Sequence, residues 1–339
     1  MEALIKTEEL TKVYPVRNGF WRKPDAVTAV NEVSLALQKG RSLGLIGESG
    51  CGKSTFGRAV CGLEKIDGGT LWFGDKNVTN LSRDAFRPYR RNIQMIFQNS
   101  LSAFDSKYTI RQSIEEVLNN FEPLCEAERS ARVERSFEQV GLERRLLNRR
   151  PNELSGGERQ RANIARALIL NPQVVVCDEP LASLDYSRRK SILNLLRDIG
   201  REHDVTYLFI THDLSTIRYI CSQIAVMYLG ELVEVMDVEN VESEMLHPYT
   251  QLLFQAVLVA DPEKRGTVCR EALGGAEPLL EHLTGCAFRN RCRFCSEICS
   301  VCKPVLQEIT PGHFVACHRI SPISRAAENR LIHISGGKK

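Results

Sequence analysis

Three short runs along the chain, Ser42–Ile46, Val174–Cys177 and Thr206–Ile210, are almost continuously apolar where a half-exposed strand would alternate. A strand with one face in water shows a period of two, so unbroken Val, Ile and Leu predict strands buried on both faces. Each run is followed by a stretch of mixed polarity that reads as a helix, over 53–61, 187–202 and 214–221 respectively. This strand-then-helix rhythm predicts a parallel sheet covered on both sides, an α/β architecture. Residues from about 108 to 170 carry charged faces such as Glu126-Ala127-Glu128-Arg129 and no comparable apolar run, which predicts a helical insertion. No run approaches the ~20 apolar residues that a membrane-spanning helix requires.

The first buried strand runs into Gly47-Glu48-Ser49-Gly50-Cys51-Gly52-Lys53-Ser54-Thr55, which fits Gly-x-x-x-x-Gly-Lys-Ser between a strand and a helix. Glycines let backbone N–H groups turn inward around phosphate oxygens, and the helix N-terminus adds positive potential. Lys53 is positioned to reach the β- and γ-phosphates, and Ser54 to offer its hydroxyl to Mg²⁺. The second buried strand ends in Asp178-Glu179, at the edge where open parallel sheets bind ligands. Asp178 suits Mg²⁺, and Glu179 suits polarisation of an attacking water, because phosphoryl transfer needs charge stabilisation and a positioned nucleophile.

Composition narrows the partners. Among 339 residues, Lys+Arg 45 against Asp+Glu 42 leaves a formal net charge of +3, too balanced for charge to argue for nucleic acid. The N-terminus lacks a basic-then-apolar secretory pattern, so the chain is expected to stay in the cytosol with its thiols reduced. Of the 12 cysteines, Cys286, Cys292, Cys295, Cys299, Cys302 and Cys317 crowd the last stretch of chain. That shift predicts a second domain beginning near Asp261-Pro262, with metal or redox chemistry rather than structural disulfides. The tail Ser335–Lys339 reads as frayed.

Leu154-Ser155-Gly156-Gly157-Glu158-Arg159-Gln160-Arg161 resembles the signature motif of ATP-binding cassette (ABC) ATPases. With it, in the family's order, Gln98 resembles the Q-loop glutamine, Ser183-Leu184-Asp185 the D-loop, and Thr211-His212-Asp213 the switch histidine. Gly230–Glu234 and His247-Pro248-Tyr249-Thr250 look like the region that closes peptide-importer ATPases. Tyr14-Pro15-Val16 and Gly285–Cys292 resemble the second ATPase subunit of dipeptide and oligopeptide importers. Glu158 stands where the family frequently has Gln, and Asn99-Ser100-Leu101 stands where these importers often have a proline.

The resemblance implies a P-loop ABC ATPase over 1–260, with an antiparallel N-terminal β subdomain and a helical subdomain about 99–170, followed by a Cys-rich extension over 261–339. It implies head-to-tail pairing, each ATP lying between the loop Gly47–Thr55 of one subunit and Ser155, Gly156 and Gly157 of the other. Glu179, His212 and Lys53 would be catalytic; Tyr14 would stack on adenine, with Phe20 and Trp21 as competitors. Asp185 would communicate across the pair, and Gln98, with Ser54 and Asp178, would attend Mg²⁺. The implied partners are a paralogous ATPase subunit, two membrane permeases and an extracytoplasmic solute-binding protein, with the chain peripheral on the cytoplasmic face of the membrane. Uptake of peptides is the expected function, with nickel or another solute as the alternative, and a soluble non-transport ABC ATPase less favoured.

The spacings x5, x6 and x17 of Cys286, Cys292, Cys299 and Cys317 resemble the importer extension that holds a 4Fe-4S cluster. Cys292-x2-Cys295 and Cys299-x2-Cys302 also form two C-x-x-C pairs that Zn²⁺ would accept, and unmetallated thiols are a third reading.

Overall fold

The computed structural model describes residues 3–16, 25–182, 184–258 and 284–320. The chain divides into two compact units, Met1–Glu231 and Leu232–Lys339. The boundary expected near Asp261, the tail, Ser183, Phe20 and Trp21 lie outside the described residues.

The first unit opens with two long strands, β1 (Ala3–Val16) and β2 (Asp25–Gln38). After β3 (Leu43–Ile46) and helix α1 (Lys53–Val60) come β4 (Gly68–Phe73) and β5 (Lys76–Asn77). The strands β2-β1-β4-β5 form an antiparallel sheet. Helix α2 (Arg83–Asn92) and β6 (Ile93–Ile96) then lead into α3 (Ile110–Phe121), α4 (Glu126–Gln139) and α5 (Gly156–Leu168), the last two separated by short 3-10 turns. Strands and helices alternate thereafter: β7 (Val174–Asp178), α6 (Tyr186–Glu202), β8 (Thr206–Thr211), α7 (Leu214–Ile220) and β9 (Gln223–Tyr228).

Strands β9-β3-β8-β7-β6 form a parallel sheet in that order. Every residue of β3, β7 and β8 is buried, as the continuous apolar runs predicted. The register pairs Ile46 with Thr211, Asp178 with Ile210 and Ile96 with Cys177, so the C-terminal ends of β3, β8, β7 and β6 come out level along one edge. The helical stretch expected over 108–170 contains α3, α4 and α5. A full capping box starts α3, where Thr109 accepts from Gln112 N.

In the second unit, β10 (Glu231–Asp237) is followed by α8 (Val241–Glu244), α9 (Pro248–Leu258) and α10 (Glu297–Val301). Strands β11 (Gln307–Thr310) and β12 (His313–Val315) pair antiparallel, and β12 pairs antiparallel with β10. Among the described residues no helix is long and apolar enough to cross a membrane.

Candidate functional site

Four loops meet at the level edge of the parallel sheet. The first, Gly47–Gly52, joins β3 to α1 and is shaped by glycine. Gly47 has φ +154° and a Cβ there would lie 2.2 Å from Met227 O; Gly52 has φ +104° and its Cβ would lie 2.0 Å from Ala29 O. No side chain fits at either position, so the turn depends on both. Gly50 instead faces open space, with nothing within 4 Å of a Cβ. Lys53, only 5% exposed, donates from Nζ to Gly47 O at 2.8 Å and Glu48 O at 2.7 Å, and Nζ lies 3.5 Å from Cys51 Sγ. The ammonium is held by its own loop. Burial pushes the Cys51 thiol pKa up.

Ser54 Oγ donates to Asp178 Oδ1 at 2.7 Å, bringing the two expected Mg²⁺ ligands together. Burial raises the Asp178 carboxyl pKa, against the lowering effect of the Ser54 hydrogen bond. Gln98, expected to attend Mg²⁺ with them, donates from Nε2 to Glu179 Oε2 at 2.9 Å, on the residue next to Asp178. The other oxygen, Glu179 Oε1, lies 3.1 Å from His212 Nδ1. Glu179 itself has φ +43°, in the left-handed region, with its N–H bonded to Ile210 O. Thus Lys53, Ser54, Asp178, Glu179, Gln98 and His212 form two linked sets across adjacent strand ends. Tyr14 lies half-buried on β1, with Lys12 Nζ 5.3 Å from its ring centroid.

Ser155, Gly156 and Gly157 begin α5 in the helical segment. Ser155 Oγ accepts from Glu158 N, and Glu158 Oε2 accepts from Ser155 N at 2.8 Å. This reciprocal cap explains why an acid serves at position 158, and the Ser155 bonds hold its carboxyl pKa below the usual range. A Cβ on Gly156 would meet nothing within 4 Å, whereas one on Gly157 would lie 3.3 Å from Arg188 Cδ. Arg188 in turn pairs with Asp185, the N-cap of α6, at 3.1 Å. An open depression of about 270 Å³ is lined here by Ser155, Gly157, Glu158, Arg161, Arg188 and Ser191. A second open depression, of about 640 Å³, is lined by α4, Leu168 and His203 and includes none of these expected site residues.

Arg159 carries a connection that motif reading passes over. Its Nε donates to buried Ser100 Oγ at 3.3 Å, and its Nη1 to Pro151 O at 3.3 Å and Leu154 O at 3.4 Å. One guanidinium therefore joins the loop after Gln98 to the turn before Ser155. Arg166, about two helical turns further along α5, lies with its guanidinium 5.9 Å from the Phe104 ring centroid.

In the second unit, Cys286 N donates to Cys299 O at 2.8 Å. Burial, aided by the neighbouring thiols of Cys299, Cys292 and Cys317, pushes the Cys286 thiol pKa up to about 11. The four thiols picked out by spacing thus act on one another electrostatically, while Cys295 and Cys302 are exposed. Among the described residues, no group of three or more His, Cys, Asp or Glu side chains is close enough to hold a metal ion. Among the described residues, neither the two C-x-x-C pairs nor the four spaced cysteines thus make a formed metal site.

The family model described as "ABC transporter" matches residues 30–182, and that described as "Oligopeptide/dipeptide transporter, C-terminal region" matches residues 233–299. The oligopeptide transport ATP-binding protein AppF of Bacillus subtilis (strain 168) is 41% identical over 325 residues, covering 94% of this chain and 98% of AppF. The oligopeptide transport ATP-binding protein OppF of Escherichia coli (strain K12) is 39% identical over 328 residues, covering 95% of this chain and 98% of OppF. Among solved structures, a dimeric ATP-binding cassette in a post-hydrolysis state bound to ADP and Pi superposes with TM-score 0.63 at 27% identity, over 69% of this chain and 98% of that one. The cbiO1 protein of Clostridium perfringens superposes with TM-score 0.62 at 25% identity, over 78% of this chain and 97% of that one.

Proposed function

Because the chain belongs to the ABC ATPases and, within them, to the oligopeptide transport ATP-binding proteins, we propose that it is the ATP-hydrolysing subunit of a peptide importer. The observation that carries this reading is the meeting of Lys53, Ser54, Asp178, Glu179, Gln98 and His212 at one sheet edge, in a chain similar to named peptide transporters along nearly its whole length.

ATP enters along the Gly47–Thr55 loop, where Lys53 leaves the carbonyls of Gly47 and Glu48 for the β- and γ-phosphates, and Tyr14 stacks on the adenine. The residues fit Mg²⁺: a hydroxyl and a carboxylate already 2.7 Å apart, Ser54 and Asp178, are hard oxygen ligands, and Gln98 joins them on turning from Glu179. Bound there, Mg²⁺ would neutralise charge on the phosphates. Glu179 orients the attacking water and takes up its proton as the new P–O bond forms and the bond to the ADP oxygen breaks. His212, hydrogen-bonded to Glu179, faces the γ-phosphate. Asp185 and the open Gly156 support pairing of two ATPase subunits, each completing the other's site with Ser155–Gly157. The partners on this reading are a paralogous ATPase, two permeases and a solute-binding protein, with this subunit peripheral at the cytoplasmic face of the membrane.

We propose that Cys286, Cys292, Cys299 and Cys317 hold a 4Fe-4S cluster and not zinc, a reading that their x5, x6 and x17 spacing supports. Iron and acid-labile sulfide analysis after anaerobic purification tests it; zinc alone, or no metal, overturns it.

The transport reading is tested by reconstituting the chain with its membrane subunits and binding protein in proteoliposomes. Di- or oligopeptides should stimulate ATP hydrolysis and accumulate inside, and Glu179→Gln should abolish both. Stimulation by nickel and not by peptides would overturn the peptide assignment.

A further inference from the structure

Glu234 lies on β10 with no exposed surface, an ionisable side chain fully inside the second unit. Such a group persists only where its oxygens are matched by donors. Glu234 Oε1 accepts from Leu246 N at 2.8 Å and lies 2.8 Å from His313 Nε2, while Oε2 accepts from His247 N at 3.1 Å. One carboxylate thus gathers the entry to α9 and the strand β12, which lie far apart in sequence.

Both gathered segments continue toward the thiols. His247 Nδ1 accepts from Tyr249 N at 3.1 Å, which fixes the imidazole as neutral with its proton on Nε2. The rings of His247 and Tyr249 lie 5.9 Å and 5.4 Å, centroid to centroid, from that of Phe288, which is buried between Cys286 and Cys292 in sequence. On the other side, Glu234 pairs with Val315 across the β10–β12 ladder, and Ala316 N donates to Val233 O at 2.9 Å. Cys317 is the next residue. Cys299 is tied to Cys286 by its carbonyl, and position 285, at φ +86°, admits only glycine, because a Cβ there would lie 2.3 Å from Cys299 O.

We propose that Glu234 is a positioning residue for the four-thiol site: through His247 and Tyr249 it seats Phe288 with Cys286 and Cys292, and through His313 it seats β12 with Cys317. This assigns a physical task to His247-Pro248-Tyr249, a motif that ATP hydrolysis does not use. The proposal rests on the four-thiol reading above but does not require that iron fills the site.

The test compares maleimide labelling of individual cysteines, followed by peptide mass spectrometry, in the full chain and in Glu234→Ala, Glu234→Gln, His313→Gln and Phe288→Leu. In Glu234→Ala, labelling of Cys286, Cys292, Cys299 and Cys317 should rise by about tenfold or more, as expected when a buried hydrogen-bonded charge is deleted and the region opens locally. Cys61, Cys177 and Cys221, buried in the first unit, should stay protected and so report an intact fold there. Glu234→Gln should fall between, Phe288→Leu should expose Cys286 and Cys292 ahead of Cys317, and His313→Gln should do the reverse. Unchanged labelling of the four, or a parallel rise at Cys61, Cys177 and Cys221 in every variant, overturns the positioning role. Iron analysis of the same samples separates the two readings: an iron-free wild type with the labelling pattern intact removes the cluster alone, whereas iron retained at wild-type labelling in Glu234→Ala removes Glu234 alone.

Discussion

Gln98 and Glu179, 81 residues apart in the chain, are joined by a 2.9 Å hydrogen bond from the amide Nε2 to Oε2. With His212 on the second oxygen, both lone-pair faces of this carboxylate are engaged by side chains from neighbouring strand ends. On the proposed function, admission of nucleotide and Mg²⁺ would exchange these internal partners for external ones, with the Gln98 side chain turning away from Glu179.

Replacement of the carboxylate should separate binding from chemistry. Glu179→Gln preserves size and hydrogen-bond reach but cannot accept the water's proton, so phosphate release should fall by about 100-fold or more. Binding of a fluorescent ATP analogue should be unchanged. Residual hydrolysis within a few-fold of wild type would remove Glu179 from the mechanism.

The guanidinium of Arg159 serves Ser100, Pro151 and Leu154 at once, a geometry that an ammonium cannot reproduce. Both Arg159→Ala and Arg159→Lys should lower the urea unfolding free energy of the chain by roughly 1–3 kcal/mol. They should also blunt stimulation of hydrolysis by the permeases more than basal hydrolysis, because the loop after Gln98 loses its tie to the turn before Ser155. Equal loss of both rates would reduce Arg159 to a structural part.

Two glycines of the phosphate loop should respond oppositely to alanine. Gly52→Ala forces a Cβ to 2.0 Å from Ala29 O at φ +104°, and should yield aggregated protein or one without nucleotide affinity. Gly50→Ala meets nothing within 4 Å and carries only the φ +83° penalty of about 1 kcal/mol. A shift in melting temperature distinguishes them directly.

Acid should loosen the second unit through His247. Burial, partly offset by Glu234, depresses its pKa to about 4 from 6.5. The unfolded chain therefore binds a proton in that interval that the folded chain refuses. Stability is fully present above about pH 6.5 and falls as pH drops toward 4, by up to roughly 3 kcal/mol. Amide exchange in 245–255 should accelerate across this window, and His247→Gln should flatten the dependence. Exchange independent of pH after correction for intrinsic chemistry would refute it.

The legible parts of this molecule were those in which chemistry and pattern fall within one short window. The β3, β7 and β8 runs are buried on both faces, so composition alone marks them, and Gly47–Thr55 and Asp178-Glu179 sit directly at their ends. The long pair β1 and β2 left no clean alternation because register shifts around Thr7–Leu10 and Leu10–Val13, and positive φ at Glu9 and Glu32, interrupt the period of two. Partnerships made by tertiary packing, such as Gln98 with Glu179 or Glu234 with His313, have no local signature at all. Glu158 was legible as a departure, and only the cap it makes with Ser155 shows why an acid belongs there.

On the proposed mechanism, the left-handed backbone at Glu179 sets protein longevity against turnover at a single position. A non-glycine residue there carries roughly 1–2 kcal/mol of conformational strain. Asn tolerates that region better than Glu, so Glu179→Asn should melt at a higher temperature while hydrolysing nothing. A laboratory selection for heat resistance alone would drift toward silent subunits, and only selection for uptake would hold the glutamate in place.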